Sequence, residues 1–142
     1  MKILLLIHLL IMAVCSEPQA DKYEAARNRM VRTQIQDRGV TSTAVLDAMR
    51  KVPRHLFMPK EYQDQAYNDY PLPIGYGQTI SQPFIVAYMT EALRPGKKMK
   101  ALEIGTGSGY QAAVLAEIVD KVFTIEIVPE LAAESAERLK KL

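Results

Sequence analysis

Apolar residues in the first half of the chain recur at the spacing of amphipathic helices. A first helix is predicted over 21–38, where the apolar positions lie on roughly one face, and Gly39 ends it. Thr41 or Ser42 can cap a second helix, which Pro53 ends. The pattern therefore predicts a helical region behind the N-terminal segment.

The next segment is rich in turn-forming residues. The stretch 68–79, NDYPLPIGYGQT, holds two prolines and two glycines and is predicted to be a long irregular connection. Ser81 is the predicted N-cap of a third helix. Its apolar stripe, which includes Phe84, Tyr88 and Met89, is predicted to face the core.

The pattern changes after a polar break at 94–100. A short buried strand is predicted over 101–104, a glycine turn over 105–109 and a helix over 110–118. A second strand over 122–127 leads to a last helix. This order predicts the start of a parallel α/β sheet. Such sheets have about six strands, so we expect this chain to be the N-terminal part of a longer protein.

The first residues predict a secretory signal. Lys2 precedes an apolar run over 3–14, and the small residues Cys15 and Ser16 follow. We expect cleavage after Cys15 or one residue later, and export to the periplasm. The alternatives are an N-terminal core helix, which would leave the protein cytoplasmic, and a lipid-modified Cys15. The predicted division is 1–16 signal peptide, 17–98 helical N-terminal region with the TIS motif in a loop, and 99–142 incomplete sheet.

Composition limits the function classes. The hydrophobic content of 49% and charged content of 24% are those of a soluble globular protein. A net charge of +2 does not indicate a nucleic-acid or membrane surface, so neither partner is expected after signal removal. Cys15 is the only cysteine, so the mature chain would have neither a disulfide nor a cysteine nucleophile.

The glycine turn predicts a bound ligand. Backbone N–H groups at such a turn are expected to face an open crevice. The spacing Gly105-x-Gly107-x-Gly109 differs from the dinucleotide fingerprint G-x-G-x-x-G. Glu103 would repel a pyrophosphate but suits the amino group and sulfonium of S-adenosylmethionine, and Glu126 lies where a carboxylate reaches ribose hydroxyls. Alternatively, Glu103 is an ordinary strand-end charge, Glu126 caps or salt-bridges the next helix, and the turn is only structural.

Several stretches of the sequence resemble the motifs of a known enzyme family. LEIGTGSGYQAAVLAEIV resembles the first motif of class I S-adenosylmethionine-dependent methyltransferases. MVRTQIQDRGV, VPRHLFMP and LPIGYGQTISQPFIVAYMTEAL are similar, more narrowly, to the protein-L-isoaspartate O-methyltransferase family. The resemblance runs from about Met30 to Leu142. It implies a Rossmann-like α/β methyltransferase fold, truncated here, with a helical N-terminal region.

The resemblance also implies a reaction and its residues. Members of the family methylate the free carboxylate of L-isoaspartyl, and also D-aspartyl, residues in damaged proteins, with S-adenosyl-L-methionine as cofactor. Ser81 matches the active-site serine of the family. The matched cofactor and crevice residues are Thr79, Ile80, Gly105, Gly107, Gly109 and Glu126. Glu103 is added as a cofactor-binding residue because of its charge and its position before Gly105.

The chemistry explains why the matched set is small. The methyl donor is already activated and the acceptor carboxylate is already ionised, so neither a general base nor a metal is needed. We expect His55 to be structural and the protein to act as a monomer. A methyltransferase with another acceptor, and an inactive truncated fragment, remain the alternatives.

Overall fold

The computed structural model describes residues 21–142. The predicted signal peptide, with Cys15, lies outside the described residues. Helices and strands alternate only in the second half of the chain. The helices are α1 Glu24–Met30, α2 Thr43–Lys51, α3 Pro83–Ala92, α4 Tyr110–Ala116 and α5 Pro129–Leu139, and the strands are β1 Leu72–Gly75, β2 Gln78–Ile80, β3 Lys100–Ile104 and β4 Lys121–Ile125.

The two predicted N-terminal helices are confirmed. Helix α1 continues through a π-helical turn, Val31–Ile35, and a 3-10 turn to Gly39, whose φ of 99° is left-handed. Ser42 caps α2 by accepting a hydrogen bond from the N–H of Val45 at 3.5 Å. Together with α4, these helices enclose the hydrophobic core.

The predicted irregular connection is instead a β-hairpin. Strands β1 and β2 pair antiparallel, and Tyr76 and Gly77 form a two-residue turn with φ values of 51° and 69°. Two positive φ values are typical of the tight turns that match the twist of paired strands. Pro73 is tolerated because this two-stranded sheet consists of edge strands. The hairpin delivers Thr79 and Ile80 to the start of α3.

Helix α3 begins one residue later than predicted. Its N-cap is Gln82, and Pro83 occupies the first turn, so Ser81 lies just outside the helix. Asp69 serves this helix end instead. It accepts hydrogen bonds from the N–H of Phe84 at 3.4 Å and from Nε2 of Gln82 at 2.8 Å. The predicted capping role of Ser81 is therefore wrong, and its side chain is not committed to the helix.

The predicted core face of α3 is only partly right. Of its predicted stripe, Phe84 is half-buried and packs against the core. Pro83, Val86 and Ala87 are buried, whereas Tyr88 is 57% exposed and Met89 is exposed as well. The helix is apolar on nearly all sides, so the periodicity did not determine which side packs.

Strands β3 and β4 pair in parallel and in register, with α4 as the crossover. One face is covered, because Ala101 and Val122 pack against the core. The other face is bare: Leu102 is 62% exposed and Ile104 is 74% exposed. The prediction of a buried strand thus holds for one face of β3 only. Within residues 21–142 no helix is long and apolar enough to cross a membrane.

Candidate functional site

A cavity of about 580 Å³ lies along α3, between that helix with the segment that enters it and the carboxyl end of β3. Its volume is in the range of small-molecule sites. It brings together most of the site residues predicted from the sequence, namely Thr79, Ile80, Ser81, Glu103, Gly105 and Gly107. Gly109 and Glu126 are not among the residues that line it.

The turn between β3 and α4 requires glycine. Gly105, Gly107 and Gly109 have φ values of 89°, 53° and 89°, a conformation that residues with a Cβ rarely adopt. A Cβ on Gly107 would lie 3.3 Å from Cδ1 of Ile74, and one on Gly109 would lie 3.2 Å from Leu139. Gly109 therefore serves the close packing of α5 on the turn.

The N–H groups of this turn are already engaged, which the sequence did not predict. Those of Gly105 and Thr106 donate to the carbonyl of Ile125 at 2.7 and 3.1 Å. That of Gly107 donates to Oε2 of Glu126 at 2.6 Å. Because these donors are not available, the turn does not form the anion cradle that a pyrophosphate needs. The turn therefore offers a ligand its shape and, in the cavity wall beside it, the carboxylate of Glu103.

Glu126 ties the turn to the segment that enters α5. Besides Gly107, the N–H groups of Ile127 and Val128 donate to its Oε1 at 2.8 and 2.9 Å. These backbone hydrogen bonds, that from Val128 first, lower the pKa of the Glu126 carboxyl below its ordinary value. Glu126 thus binds the N–H groups just before α5, and no side-chain hydrogen bond caps the helix itself, so the capping alternative is not what the structure shows. A ribose contact by Glu126 stays a prediction.

Glu103 is the carboxylate in the cavity wall. Its Oε2 accepts a hydrogen bond from the hydroxyl of Thr124 at 2.6 Å, and Thr124 contacts the hydroxyl of Thr106 at 2.6 Å. Burial raises the pKa of Glu103 above its ordinary value, and the charge of Glu126 adds to this, while the Thr124 hydrogen bond opposes it. A partly buried carboxylate of this kind is stabilised by a cationic ligand group.

Ser81 presents a free hydroxyl on a fixed backbone. Its carbonyl accepts a hydrogen bond from Nη2 of Arg54 at 2.8 Å, and its hydroxyl makes no hydrogen bond with residues 21–142. Arg54 is fully buried. Its Nε donates to the carbonyl of Ala66 at 2.8 Å and its guanidinium lies 4.9 Å from the ring centroid of Tyr110. A buried arginine thus holds the serine in place.

Several residues that line the cavity were not predicted from the sequence. Tyr88 and Met89, which were assigned to the core, line the cavity. Gln111 lines it as well, and its Nε2 donates to the hydroxyl of Thr90 at 2.8 Å. The sequence did show that α3 is apolar on nearly all sides, which could have indicated that some of these residues face a ligand and not the core. Nothing in the local sequence identified Gln111.

His55 lies in a separate cluster. Its Nδ1 is 2.8 Å from the hydroxyl of Tyr67, and its ring lies 4.2 Å from that of Tyr23 between centroids, with the planes tilted by 32°. Burial lowers its pKa below the ordinary value. His55 does not line the cavity, in agreement with the structural role predicted for it.

Comparison with known proteins places the chain in a family. The family model described as protein-L-isoaspartate(D-aspartate) O-methyltransferase matches residues 25–142. Proteins named protein-L-isoaspartate O-methyltransferase from Picosynechococcus sp. and Gloeobacter violaceus are 60% and 62% identical over 123 and 113 residues. These matches cover 87% and 80% of this chain. The chain spans about half the length of these relatives, since 55% of each is covered.

Solved structures agree. A structure titled protein-L-isoaspartate O-methyltransferase superposes with a TM-score of 0.71 at 28% identity, covering 81% of this chain and 38% of that protein. A Plasmodium falciparum protein-L-isoaspartate O-methyltransferase beta-aspartate methyltransferase, in complex with S-adenosyl-L-homocysteine, superposes with a TM-score of 0.65 at 26% identity. That match covers 81% of this chain and 55% of that protein. The predicted α/β methyltransferase fold with a helical N-terminal region is confirmed, and the chain belongs to the protein-L-isoaspartate(D-aspartate) O-methyltransferase family.

Proposed function

We propose that this protein transfers a methyl group from S-adenosyl-L-methionine to the free carboxylate of L-isoaspartyl residues, and also D-aspartyl residues, in damaged proteins. One observation carries the proposal. A single cavity joins a glycine turn and the carboxylate of Glu103 to the free hydroxyl of Ser81. The names of the relatives support the same reaction.

The residues of the cavity fit this cofactor. Glu103 offers a carboxylate to its amino group. The apolar side chains of Met89 and Leu115 face the same space. The N–H groups of Gly105 and Gly107 are engaged within the protein, which suits a ligand without a pyrophosphate. When bound, the cofactor supplies a methyl group that is already activated on a sulfonium.

The chain's own contribution to the reaction is binding and orientation. An isoaspartyl carboxylate is ionised at neutral pH and needs no base to attack carbon. The Ser81 hydroxyl can donate one hydrogen bond to a carboxylate oxygen and leave the other oxygen free to react. Arg54 fixes the Ser81 backbone, so the donor is held in place before the substrate binds. Positioning of this kind accounts for most of the acceleration we expect.

A methyl-transfer assay tests the proposal. The 142-residue chain is incubated with S-adenosylmethionine labelled in the methyl group and an isoaspartyl peptide. The same peptide with normal aspartate is the control. We expect label in the isoaspartyl peptide only. Equal label in both peptides would indicate a different acceptor, and no label in either would contradict the proposed activity of this chain.

We also propose that residues 1–16 direct export and that the mature protein is a monomer in the periplasm. The charged start, apolar run and small-residue exit of the sequence support export. Fractionation of expressing cells, followed by N-terminal sequencing, tests it: we expect a periplasmic protein that begins at or just after Ser16. Light scattering on the mature protein measures its mass, and a dimer mass would contradict the monomer.

A further inference from the structure

We infer that the hydroxyl groups of Thr106 and Thr124 form a relay that fixes the carboxylate of Glu103 for the amino group of the cofactor. The inference rests on the proposed function. It assigns positioning roles to two residues that the glycine motif and the family resemblance did not single out.

The relay follows from the pairing of the two parallel strands. Glu103 on β3 and Thr124 on β4 are direct partners in the register, so their side chains lie on the same face of the sheet. The hydroxyl of Thr124 is 2.6 Å from Oε2 of Glu103. The hydroxyl of Thr106, in the glycine turn, is 2.6 Å from that of Thr124.

The direction of the hydrogen bonds can be assigned. A hydroxyl carries one proton, and an ionised carboxylate only accepts. Thr124 therefore donates to Glu103, so Thr106 must donate to Thr124. Thr106 is itself buried, and its N–H is held by the carbonyl of Ile125 at 3.1 Å. The last hydroxyl of the relay therefore belongs to a residue whose backbone is held in place.

This arrangement engages one oxygen of Glu103 and leaves the other for a ligand. Oε1 makes no hydrogen bond within residues 21–142, and Glu103 lines the cavity. A glutamate side chain loses rotamer freedom when it binds a ligand, and holding it beforehand reduces that loss. The matching donor is an ammonium group, which carries three N–H bonds and no acceptor.

Two variants and two ligands test the inference by calorimetry on the 142-residue chain. Thr124→Val keeps the shape of the side chain but removes the hydroxyl, and Thr124→Ser keeps the hydroxyl. S-adenosylhomocysteine carries the amino group, whereas 5′-methylthioadenosine lacks the whole amino-acid end. We expect Thr124→Val to lower the affinity for S-adenosylhomocysteine about tenfold and the affinity for 5′-methylthioadenosine less than about twofold. Thr124→Ser should bind both like the wild type.

The outcomes separate the two proposals. Equal weakening of both ligands by Thr124→Val indicates a merely structural threonine and overturns the inference. Unchanged binding of S-adenosylhomocysteine overturns it too. Circular dichroism checks that the variant is folded, and failure of Thr124→Ser to restore binding also counts against the relay. If the wild-type chain does not bind S-adenosylhomocysteine, the proposed function itself fails.

Discussion

A methyl group added at Gly105 tests whether the glycine turn contacts the cofactor. Gly105 has a φ of 89° and lines the cavity, and a Cβ built there meets no atom within 4 Å. Gly39, which does not line the cavity, has a φ of 99° and equally open surroundings. Alanine in this conformation costs about 1–2 kcal/mol at either position. Domains of this size are stable by about 5–15 kcal/mol, so both variants should stay folded.

The two variants should differ in ligand binding. Gly105→Ala adds a methyl group where the ligand would approach the backbone. We therefore expect its affinity for S-adenosylhomocysteine to fall at least about tenfold, which is about 1.4 kcal/mol. Gly39→Ala should bind like the wild type. Urea unfolding and calorimetry measure the two quantities. Equal affinities of Gly105→Ala and Gly39→Ala, together with equal losses of stability, would mean that the cofactor does not contact the backbone at Gly105.

Three further predictions follow from the site. Ser81→Ala should lower kcat for the isoaspartyl peptide about 10- to 100-fold, because a hydrogen bond to a charged group is worth about 1.5–3 kcal/mol. The affinity for S-adenosylhomocysteine should change little, and an unchanged kcat in the methyl-transfer assay would disprove the role of the hydroxyl. The affinity for S-adenosylhomocysteine should fall as the pH drops through the raised pKa of Glu103, because the protonated acid cannot pair with an ammonium. Calorimetry across pH should show this loss in the wild type, and the same loss in Glu103→Gln would assign it to another group. Arg54→Met leaves the carbonyls of Ala66 and Ser81 without their donor, so urea unfolding should show a stability loss of about 2–5 kcal/mol, and a loss below about 1 kcal/mol would contradict the bracing role.

Sequence periodicity predicted the elements best where one face alone is apolar or where a cap is local. Ser42 and Gly39 mark helix ends by chemistry confined to a few residues. Gly39 was predicted, and Ser42 was one of the two predicted caps. The β1–β2 hairpin was missed because two prolines and two glycines indicate a loop. Its turn at Tyr76 depends on a positive φ that a tyrosine rarely adopts.

The contacts of the predicted site residues with a ligand stay predictions, and their hydrogen bonds within the protein could not be predicted. The motif around Glu103 and Gly105 predicted a crevice at the carboxyl end of β3, and a cavity lies there. It could not reveal that Arg54 braces Ser81, because the two are 27 residues apart and meet only in the folded chain. The apolar stripe of α3 was predicted to face the core because apolar side chains usually pack there. Its Tyr88 instead lines the cavity.

The bare face of the β3–β4 sheet can affect the oligomeric state of the chain in solution. Leu102 and Ile104 are both more than half exposed on this face, and both also line the cavity. Exposed apolar surface of this kind promotes association. Binding experiments on the chain should therefore be run at low protein concentration, with the oligomeric state measured in the same buffer.

The proposed function requires that the cavity hold S-adenosylmethionine with its amino group at Glu103 and its methyl group toward Ser81. A crystal structure of the chain with S-adenosylhomocysteine would show this arrangement. We expect ligand density in the cavity, with the amino nitrogen within hydrogen-bond distance of the Glu103 carboxylate and the sulfur on the side of Ser81. Density elsewhere on the protein, or a ligand in the cavity whose amino group lies away from Glu103, would contradict it.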